Sequence, residues 1–275
     1  MSGSEIAAAE AVQQLEVLTA VVAGACLKIV AMPPETVVKR EKSDRSPVTA
    51  ADEVSEALIL RELARTLPGI PVISEESAKP SSIDPRSSFV IVDPLDGTRE
   101  YLAGSDEFTV NLAVVSAGIP VIGIVGAPRR GLLWRGVAGV KAERLRLVPD
   151  GGETPERIRT RAWPGNANAI AMVSRSHLDA ATDAMVAGLG TVTRAPSGSA
   201  IKFCRVAEGT ADVYPRLATT CEWDVAAGHA LLVAAGGTVT APDGSALAYG
   251  RVEKDFRVPA FIAWGDAGKA AAFGR

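Results

Sequence analysis

The sequence predicts an α/β protein of mixed α+β character. Of its 275 residues, 47% are hydrophobic and 22% are charged, a balance typical of chains that bury a large core. Strand-forming and helical segments alternate through the second half, which is the pattern of layered α/β folds. Acidic residues stand directly at the ends of two apolar, strand-like runs in the first half. We therefore expect a layered protein with chemistry at a sheet edge.

Charge and cysteine content argue against a nucleic-acid polymer as partner, a disulfide framework and a zinc site. The chain has 29 basic and 32 acidic residues and a net charge of −3, whereas generic binding to nucleic-acid polymers needs a basic excess. Cys26, Cys204 and Cys221 lie far apart without a CxxC pair, so neither a disulfide framework nor a zinc site is predicted. We expect a cytoplasmic protein, and association with the inner face of the membrane stays open.

Residues 5–30 predict one long helix, because Ala, Leu and Val dominate the segment and Pro33-Pro34 stops it. Its apolar run from Val17 to Leu27 falls short of the ~20 residues that a membrane span needs. Charges at Glu16 and Lys28 bracket the run, and the start lacks the basic residues of a secretory signal. We expect a buried helix, no integral membrane span and no export.

The following segments alternate loop, helix and strand. Charges of alternating sign make Lys39 to Arg45 a solvated loop. A second helix, capped by Thr49 or Asp52, has apolar residues at helical spacing and closes at Pro68-Gly69. Strands are then predicted at Ile70 to Ser74 and Phe89 to Val92, with a hairpin that pairs Thr109 to Ser116 with Pro120 to Val125 across Ala117-Gly118.

A polar, glycine-containing segment from Pro149 to Glu153 predicts a division into two subdomains that share one cleft. We expect an N-terminal α+β subdomain over residues 1–150 and a C-terminal α/β subdomain over residues 151–275. In the second, the alternating pattern comprises Ala169 to Val173, His177 to Leu189, Ile201 to Ala207, Ala211 to Tyr214, Trp223 to Ala235, Thr238 to Thr240 and Phe261 to Trp264.

The most informative string is Asp93-Pro94-Leu95-Asp96-Gly97-Thr98, which begins where an apolar run stops. Pro94 fixes one φ angle and Gly97 permits a turn, so the two carboxylates can converge at the end of a strand. Taken alone, the string also fits an ordinary acidic turn before a helix. Two further acidic sites favour the functional interpretation: Glu75-Glu76 ends another strand, and Asp224 opens a late helix.

Carboxylates brought together from three segments repel one another unless a cation neutralises them. Oxygen ligands are abundant and the chain has only two histidines, so the pattern favours Mg²⁺, with Mn²⁺ as a substitute, over zinc. Divalent ions so held stabilise the attacking and leaving oxygens of a phosphoryl displacement. Backbone N–H groups of Gly97 and Thr98 suit a phosphate, and the Thr98 hydroxyl can orient a water if Asp52 accepts its proton. The alternative is that Thr49 and Asp52 are simply helix caps.

Four ordered strings resemble the lithium-sensitive, Mg²⁺-dependent phosphatase superfamily, which includes inositol monophosphatases, fructose bisphosphatases and bisphosphate nucleotidases. They are Ser46 to Asp52, Pro71 to Glu76, Asp93 to Thr98 and Trp223 to Gly228, within a match from about Val37 to Trp264. The resemblance implies a layered α/β/α/β/α sandwich of the inositol monophosphatase and fructose bisphosphatase type. It implies two or three metal ions and a water oriented by Asp52 and Thr98, without a covalent phosphoenzyme. The implied metal ligands are Glu75, Asp93, the Leu95 carbonyl, Asp96 and Asp224.

Further strings resemble the 3′(2′),5′-bisphosphate nucleotidases of bacterial sulfate assimilation. They are Arg99 to Tyr101, Glu107 to Asn111, Ser174 to His177, Ser197 to Ser199 with Lys202-Phe203, and Tyr214 to Arg216. The resemblance implies release of the 3′-phosphate of adenosine 3′,5′-bisphosphate, giving AMP and phosphate. It implies substrate contacts from Gly97, Thr98, Ser199, Lys202 and Arg216. The resemblance also places His177 near the adenine, although a histidine beside Ser and Arg is often only a helix cap.

The alternative within the superfamily is an inositol monophosphatase-like or broad sugar-phosphate phosphatase with the same metal site. Inositol monophosphatases usually carry a Glu seven residues before the late metal Asp, where this chain has Leu217, so inositol is the weaker substrate. A haloacid dehalogenase-type phosphatase would space its acids two residues apart, whereas Asp93 and Asp96 are three apart. A nucleotide sensor without turnover would be expected to lack Asp52 or Thr98. Homodimers occur among relatives, so a homodimer is an open possibility here.

Overall fold

Two large β-sheets with helices on their faces, together with two short two-stranded ribbons, form the regular structure of the described residues. The structure is a computed structural model, and it describes residues 8–41, 47–77, 79–84, 86–147, 154–165 and 167–273. Its helices are α1 (Ala8–Val30), α2 (Ala50–Thr66), α3 (Thr98–Leu102), α4 (Ala180–Ala187), α5 (Ile201–Ala207), α6 (Glu222–Ala234) and α7 (Ala267–Phe273). Its strands are β1 (Lys39–Glu41), β2 (Pro47–Thr49), β3 (Val72–Ser74), β4 (Ser88–Asp96), β5 (Thr109–Ser116), β6 (Ile119–Ala127), β7 (Leu132–Val137), β8 (Lys141–Arg146), β9 (Glu156–Arg157), β10 (Ala169–Ser174), β11 (Val192–Ser197), β12 (Val213–Arg216), β13 (Thr220–Cys221), β14 (Thr238–Thr240), β15 (Arg257–Val258) and β16 (Phe261–Trp264).

The larger sheet has the order β3-β4-β5-β6-β7-β8-β9. Strand β3 is parallel to β4, and the remaining neighbours are antiparallel. The second sheet has the order β11-β10-β12-β16-β14, in which β10 is parallel to both its neighbours and β16 is antiparallel to both of its own. Short ribbons pair β1 with β2 and β13 with β15.

Alternate residues of the large sheet bury its two faces in different cores. On β4, Val90 and Val92 join α1 and α2 in one apolar cluster, whereas Phe89 and Ile91 join α5 and α6 in another, as the two-residue period of a strand requires. Helices on the far face of the second sheet, α4 and α7, pack through a third cluster that includes Val186. The layers are therefore α/β/α/β/α, and the predicted fold class is confirmed.

Helix α1 is a core helix on the outer face of the large sheet. Residues Glu10–Val30 are long and apolar enough by length and composition to cross a membrane, and α1 is the one such helix among the described residues. Leu15, Leu18 and Val22 are nevertheless buried in the cluster that α1 shares with the sheet. Val17 and Leu27 are exposed, so the prediction of a buried helix is confirmed for one face of α1 only.

Two segments differ from the sequence-based expectations. Lys39–Glu41 forms strand β1 against β2 instead of a solvated loop, because edge pairing tolerates charged side chains; residues 42–46 lie outside the described residues. Helix α4 begins at Ala180 and not at His177, since the Asp179 carboxylate caps it by accepting a hydrogen bond from Thr182 N at 2.9 Å. His177 therefore lies in the turn before the helix.

Other predictions are met in part or stay untested. Strands β7, β8 and β11 were not predicted, because charged residues interrupt their apolar pattern. Arg135 of β7, for example, is 2% exposed and is neutralised by Glu16 and Glu143. The proposed boundary at residues 149–153 lies outside the described residues, so the division into residues 1–150 and 151–275 stays a prediction.

Gly123 lets α6 approach β6 closely, and this contact sets the distance between the layers. A Cβ atom at Gly123 would collide with the Ala227 backbone carbonyl and lie 2.9 Å from the Ala230 Cβ. We predict that Gly123→Ala lowers the free energy of unfolding by about 1–3 kcal/mol, the usual cost of overpacking. Urea-unfolding curves with unchanged m-values would measure it.

The matched control is Gly24→Ala in α1, where the nearest atom to the new Cβ would be a Leu58 methyl at 3.9 Å. This change should leave the free energy of unfolding unchanged or raise it by up to ~1 kcal/mol, because alanine is the better helix former. Equal effects of the two substitutions would contradict the close-packing account.

Candidate active site

Asp52 at the start of α2 serves two partners at once. Its Oδ2 accepts hydrogen bonds from Thr49 N at 2.9 Å and Thr49 Oγ1 at 2.6 Å, which completes a capping box. Its Oδ1 accepts a hydrogen bond from Thr98 Oγ1 at 3.1 Å. Burial raises the pKa of Asp52, and the bonds from Thr49 and Thr98 only partly offset that rise. This carboxylate therefore caps the helix and accepts a hydrogen bond from Thr98 at the same time.

The turn after β4 is held in place from two sides. Ser55 of α2 donates a hydrogen bond to the Pro94 carbonyl at 2.8 Å. Gly97 has a φ of +94°, a left-handed conformation that favours glycine, and a Cβ there would collide with the Ser199 hydroxyl. The turn is thus fixed between α2 and the segment that precedes α5.

Asp93, Asp96 and Asp224 each place a carboxylate oxygen within 4.8 Å of the other two. Asp93 Oδ1 accepts a hydrogen bond from Leu95 N at 3.0 Å, while its Oδ2 is buried without a hydrogen-bond partner among the described residues. Asp96 Oδ2 accepts from Ala200 N at 2.9 Å, and Asp224 Oδ2 accepts from Cys221 N at 2.9 Å. The hydrogen bonds orient each carboxylate through one oxygen.

A cation would stabilise this acidic cluster (Asp93, Asp96 and Asp224), because its carboxylates lie close together and are partly or wholly buried. Burial raises the pKa of Asp93 well above its ordinary value, and the charges of Glu75, Asp96 and Asp224 raise it further. Burial, together with the charge of Asp224, raises the pKa of Asp96 to about 7. Asp93 and Asp96 therefore resist ionisation until a positive charge is supplied.

The donor set fits a hard divalent metal. The three clustered ligand atoms are all carboxylate oxygens, which Mg²⁺ and Mn²⁺ prefer, and the orphaned Asp93 Oδ2 needs a partner. Glu75 lies outside this group of three but lines the same cavity. The Leu95 carbonyl lies at the same turn, 3.4 Å from Thr98 Oγ1.

A cavity of about 260 Å³ opens beside the acidic cluster. Its wall combines the acidic residues with the cationic residues that the sequence singled out. The lining residues are Pro47, Glu75, Asp96, Gly97, Thr98, Arg99, Glu100, Ser174, His177, Gly198, Ser199, Lys202, Tyr214, Arg216 and Asp224. Asp52 and Asp93 lie behind this surface, each only 1% exposed.

Lys202 and Arg216 form the cationic side of the cavity. Lys202 Nζ donates hydrogen bonds to the carbonyls of Ser199 at 2.6 Å and Ser197 at 3.3 Å. It also lies 5.1 Å from the centre of the Tyr214 ring. Burial alone would lower the pKa of Arg216, but Tyr214, Asp224 and other neighbours raise it instead. The Lys202 side chain is therefore held by the segment before α5, and Arg216 lies near the charges of Asp224 and Asp96.

Ser199 and His177 occupy the remaining predicted substrate positions. Ser199 Oγ lies 2.8 Å from the Asp96 carbonyl and 3.0 Å from the Glu107 carbonyl, so the backbone already engages this hydroxyl. His177 is exposed at the cavity wall. Partial burial, Arg216 and Arg99 lower the pKa of His177, so its neutral form is favoured.

The structure adds residues that the sequence reasoning did not assign. Arg99, Glu100 and Ser174 line the cavity, and Asn111 Nδ2 donates to Asp96 Oδ2 at 3.3 Å. Each of these residues lies in a sequence string that resembles the bisphosphate nucleotidases. That resemblance is the feature of the sequence from which they could have been predicted. His229 is 8% exposed, forms a hydrogen bond with the Tyr249 hydroxyl at 2.9 Å and is not among the cavity-lining residues.

Comparison with known proteins identifies the family of the chain. Residues 8–268 match the inositol monophosphatase family. The chain belongs to this family. The 3′(2′),5′-bisphosphate nucleotidase CysQ of Salmonella typhimurium (strain LT2) is 38% identical over 219 residues, covering 76% of this chain and 81% of that protein. The Escherichia coli (strain K12) CysQ nucleotidase is 38% identical over 211 residues, with the same two coverages.

Solved structures share the fold. CysQ from Bacteroides thetaiotaomicron, described as a bacterial member of the inositol monophosphatase family, superimposes with a TM-score of 0.78 at 35% identity. The match covers 92% of this chain and 97% of that one. An inositol monophosphatase from Anabaena has a TM-score of 0.72 at 24% identity over 94% and 95% of the two chains, a likeness of fold alone. The predicted family and phosphatase class are confirmed.

We predict that Asp93→Asn keeps the metal-free protein at least as stable as the wild type. Asparagine retains an acceptor for Leu95 N and cannot ionise, so it avoids the cost of a buried charge beside Asp96 and Asp224, and the melting temperature without metal should hold or rise. Adding Mg²⁺ should raise the wild-type melting temperature, because a ligand that binds only the folded state stabilises it.

Calorimetric scans with and without Mg²⁺ measure both effects. The variant should respond weakly or not at all to the ion. An equal Mg²⁺ response in the two proteins would mean that Asp93 is not a ligand, and failure of the variant to fold would mean that this carboxylate is structural.

Proposed function

We propose that this protein is a 3′(2′),5′-bisphosphate nucleotidase that releases the 3′-phosphate of adenosine 3′,5′-bisphosphate to give AMP and phosphate. The cavity carries the proposal, because its wall combines the acidic residues Asp96 and Asp224 with two cationic residues, Lys202 and Arg216. A substrate with two phosphates satisfies both sides at once. The names of the nucleotidase relatives support the same substrate class.

Asp93, Asp96 and Asp224 would hold Mg²⁺, with Glu75 and the Leu95 carbonyl completing the ligand set. Two or three ions are expected, and Mn²⁺ can substitute. Bound metal supplies an acidified water and charge neutralisation at the leaving oxygen. The buried, unpartnered Asp93 Oδ2 supports this assignment, because a hydrogen bond or a cation normally satisfies such an atom.

Thr98 and Asp52 orient the attacking water in this proposal. The Thr98 hydroxyl donates a hydrogen bond to Asp52 Oδ1. The Thr98 oxygen is then free to accept a hydrogen bond from water. Asp52 is itself fixed by the two bonds from Thr49, so the direction of the Thr98 lone pairs is set. The backbone N–H groups of Gly97 and Thr98 would face the phosphate that is cleaved.

The second phosphate and the nucleoside would meet the other side of the cavity. The two carbonyl contacts of Lys202 leave one ammonium N–H for the substrate. The planar guanidinium group of Arg216 can donate two parallel hydrogen bonds to a phosphate. The Ser199 oxygen can accept a hydrogen bond from a ribose hydroxyl. In this proposal, neutral His177 at the cavity wall would contact the base.

The cellular setting follows from the same assignment. We propose a cytoplasmic enzyme that serves sulfate assimilation and is inhibited by Li⁺. The three free cysteines support a reducing compartment.

The test is a panel of phosphate-release assays. Adenosine 3′,5′-bisphosphate should have the highest kcat/KM, ahead of 3′-AMP, inositol 1-phosphate and fructose 1,6-bisphosphate. Activity should require Mg²⁺ or Mn²⁺, fall with Li⁺ and vanish in excess EDTA. A preference for inositol 1-phosphate would favour the alternative activity, and full activity in EDTA would sink the metal assignment.

Arg216→Ala tests the second phosphate grip separately. A charge-assisted contact contributes roughly 1.5–3 kcal/mol, so kcat/KM for adenosine 3′,5′-bisphosphate should fall about 10- to 150-fold. The loss on inositol 1-phosphate should be much smaller. Arg194→Ala is the control, because Arg194 pairs with Asp183 at 2.6 Å and is not among the cavity-lining residues. Equal losses on both substrates would mean that Arg216 supports the cavity generally.

A further inference from the structure

Glu107, in the segment before β5, binds two separate segments of the C-terminal half. Arg175 donates to it through Nε at 2.7 Å and through Nη2 at 2.9 Å, a bidentate pair. Gly198 N donates to the same carboxylate at 3.0 Å. Ser197 Oγ and Arg130 Nη2 lie farther off, at 3.4 and 3.5 Å. The residue is 8% exposed and lies behind the cavity wall.

The turn of residues 197–200 is the segment that Glu107 holds. At its centre, Ser199 Oγ lies within hydrogen-bond distance of the carbonyls of both Glu107 and Asp96, and Ala200 N donates to Asp96 Oδ2. Ser199 has a φ of +49°, a left-handed conformation that a residue other than glycine rarely adopts. A Cβ at Gly198 would strike the Glu107 carbonyl. The turn is therefore strained, closely packed and held by hydrogen bonds at both ends.

The same turn orients the cationic side of the cavity. Both carbonyls that receive Lys202 Nζ, those of Ser197 and Ser199, belong to it. Arg175 lies in the segment that leads to His177. That segment has a second fastening, since Ser176 Oγ donates to Glu100 Oε1 at 2.8 Å. A shift of Glu107 would thus move Lys202 relative to Asp96.

We infer that Glu107 is a positioning residue for substrate specificity: it holds the Lys202 side of the cavity in register with the acidic cluster. The role rests on the proposed function, since the distance it sets is the one between the two phosphate sites. Glu107 acts through the 197–200 turn and through Arg175, without touching the substrate. A bisphosphate needs both sites at a fixed spacing, whereas a monophosphate needs only one.

The test variants are Glu107→Gln, which removes the charge, and Arg175→Lys, which keeps a charge but loses the bidentate geometry. Both should raise KM for adenosine 3′,5′-bisphosphate by about tenfold or more, because a small misplacement of binding groups is costly. Changes in kcat, and in KM for inositol 1-phosphate, should be much smaller. Amide hydrogen exchange across residues 197–203 should accelerate in the substrate-free protein.

The matched control is Asp212→Asn. Asp212 is another buried carboxylate with a bidentate arginine, since Arg161 donates to it twice at 2.7 Å, but it is not among the cavity-lining residues. This variant should lose stability while keeping the wild-type KM and the exchange rates of residues 197–203. If Glu107→Gln behaves as Asp212→Asn does, Glu107 is only structural and the inference is wrong.

Two further features keep the outcomes distinct. Arg175 has a half-exposed side chain, so Arg175→Lys should fold even if Glu107→Gln does not, and an unchanged KM in that variant would overturn the inference. The proposed function fails separately, if the wild-type enzyme does not prefer the bisphosphate. The exchange measurement needs no substrate, so unchanged exchange at residues 197–203 contradicts the positioning role whichever phosphate the wild type prefers.

Discussion

Three carboxylates, those of Asp93, Asp96 and Asp224, stand within 4.8 Å of one another and partly or wholly out of water. Their mutual repulsion opposes folding, so each is fixed by donors that leave it little freedom to move away. Leu95 N, Ala200 N and Cys221 N supply one such bond each. The resulting arrangement is ready for a divalent cation before one arrives, as an active site must be if binding is not to reorganise it.

Helix-capping interactions hold the carboxylates that the proposed chemistry needs. The capping box of α2 fixes Asp52 through one oxygen and leaves the other for Thr98. A second capping box at α6 fixes Asp224 through Oδ2. The layers are fixed closely enough, at Gly123 for example, for these helix starts to meet the end of β4. Under the proposed function, stability and catalysis therefore use the same contacts, and helix capping by a residue does not exclude a catalytic role.

Local patterns predicted much of the fold, and long-range contacts account for what they missed. Continuous apolar runs such as Val90 to Val92 predict a strand buried on both faces, and Asp93 to Thr98 marks its functional end. Strand β7 was missed because it buries Arg135, whose partners Glu16 and Glu143 lie elsewhere in the sequence. Glu107 lies within a recognisable motif, but its role could not be predicted from sequence, because its partners lie 68 and 91 residues farther along the chain. No local pattern could reveal that contact.

A crystal structure with Mn²⁺, using its anomalous scattering, tests the central claim most directly. Mn²⁺ is a hard, oxygen-seeking ion like Mg²⁺, and its signal locates the metal independently of any assumption about ligands. The account predicts a peak at about 2.1 Å from carboxylate oxygens of Asp93, Asp96 and Asp224, and its loss in Asp93→Asn crystals. A wild-type crystal with no peak there, or a variant crystal with the same peak, would contradict the claim that this acidic cluster exists to hold a metal.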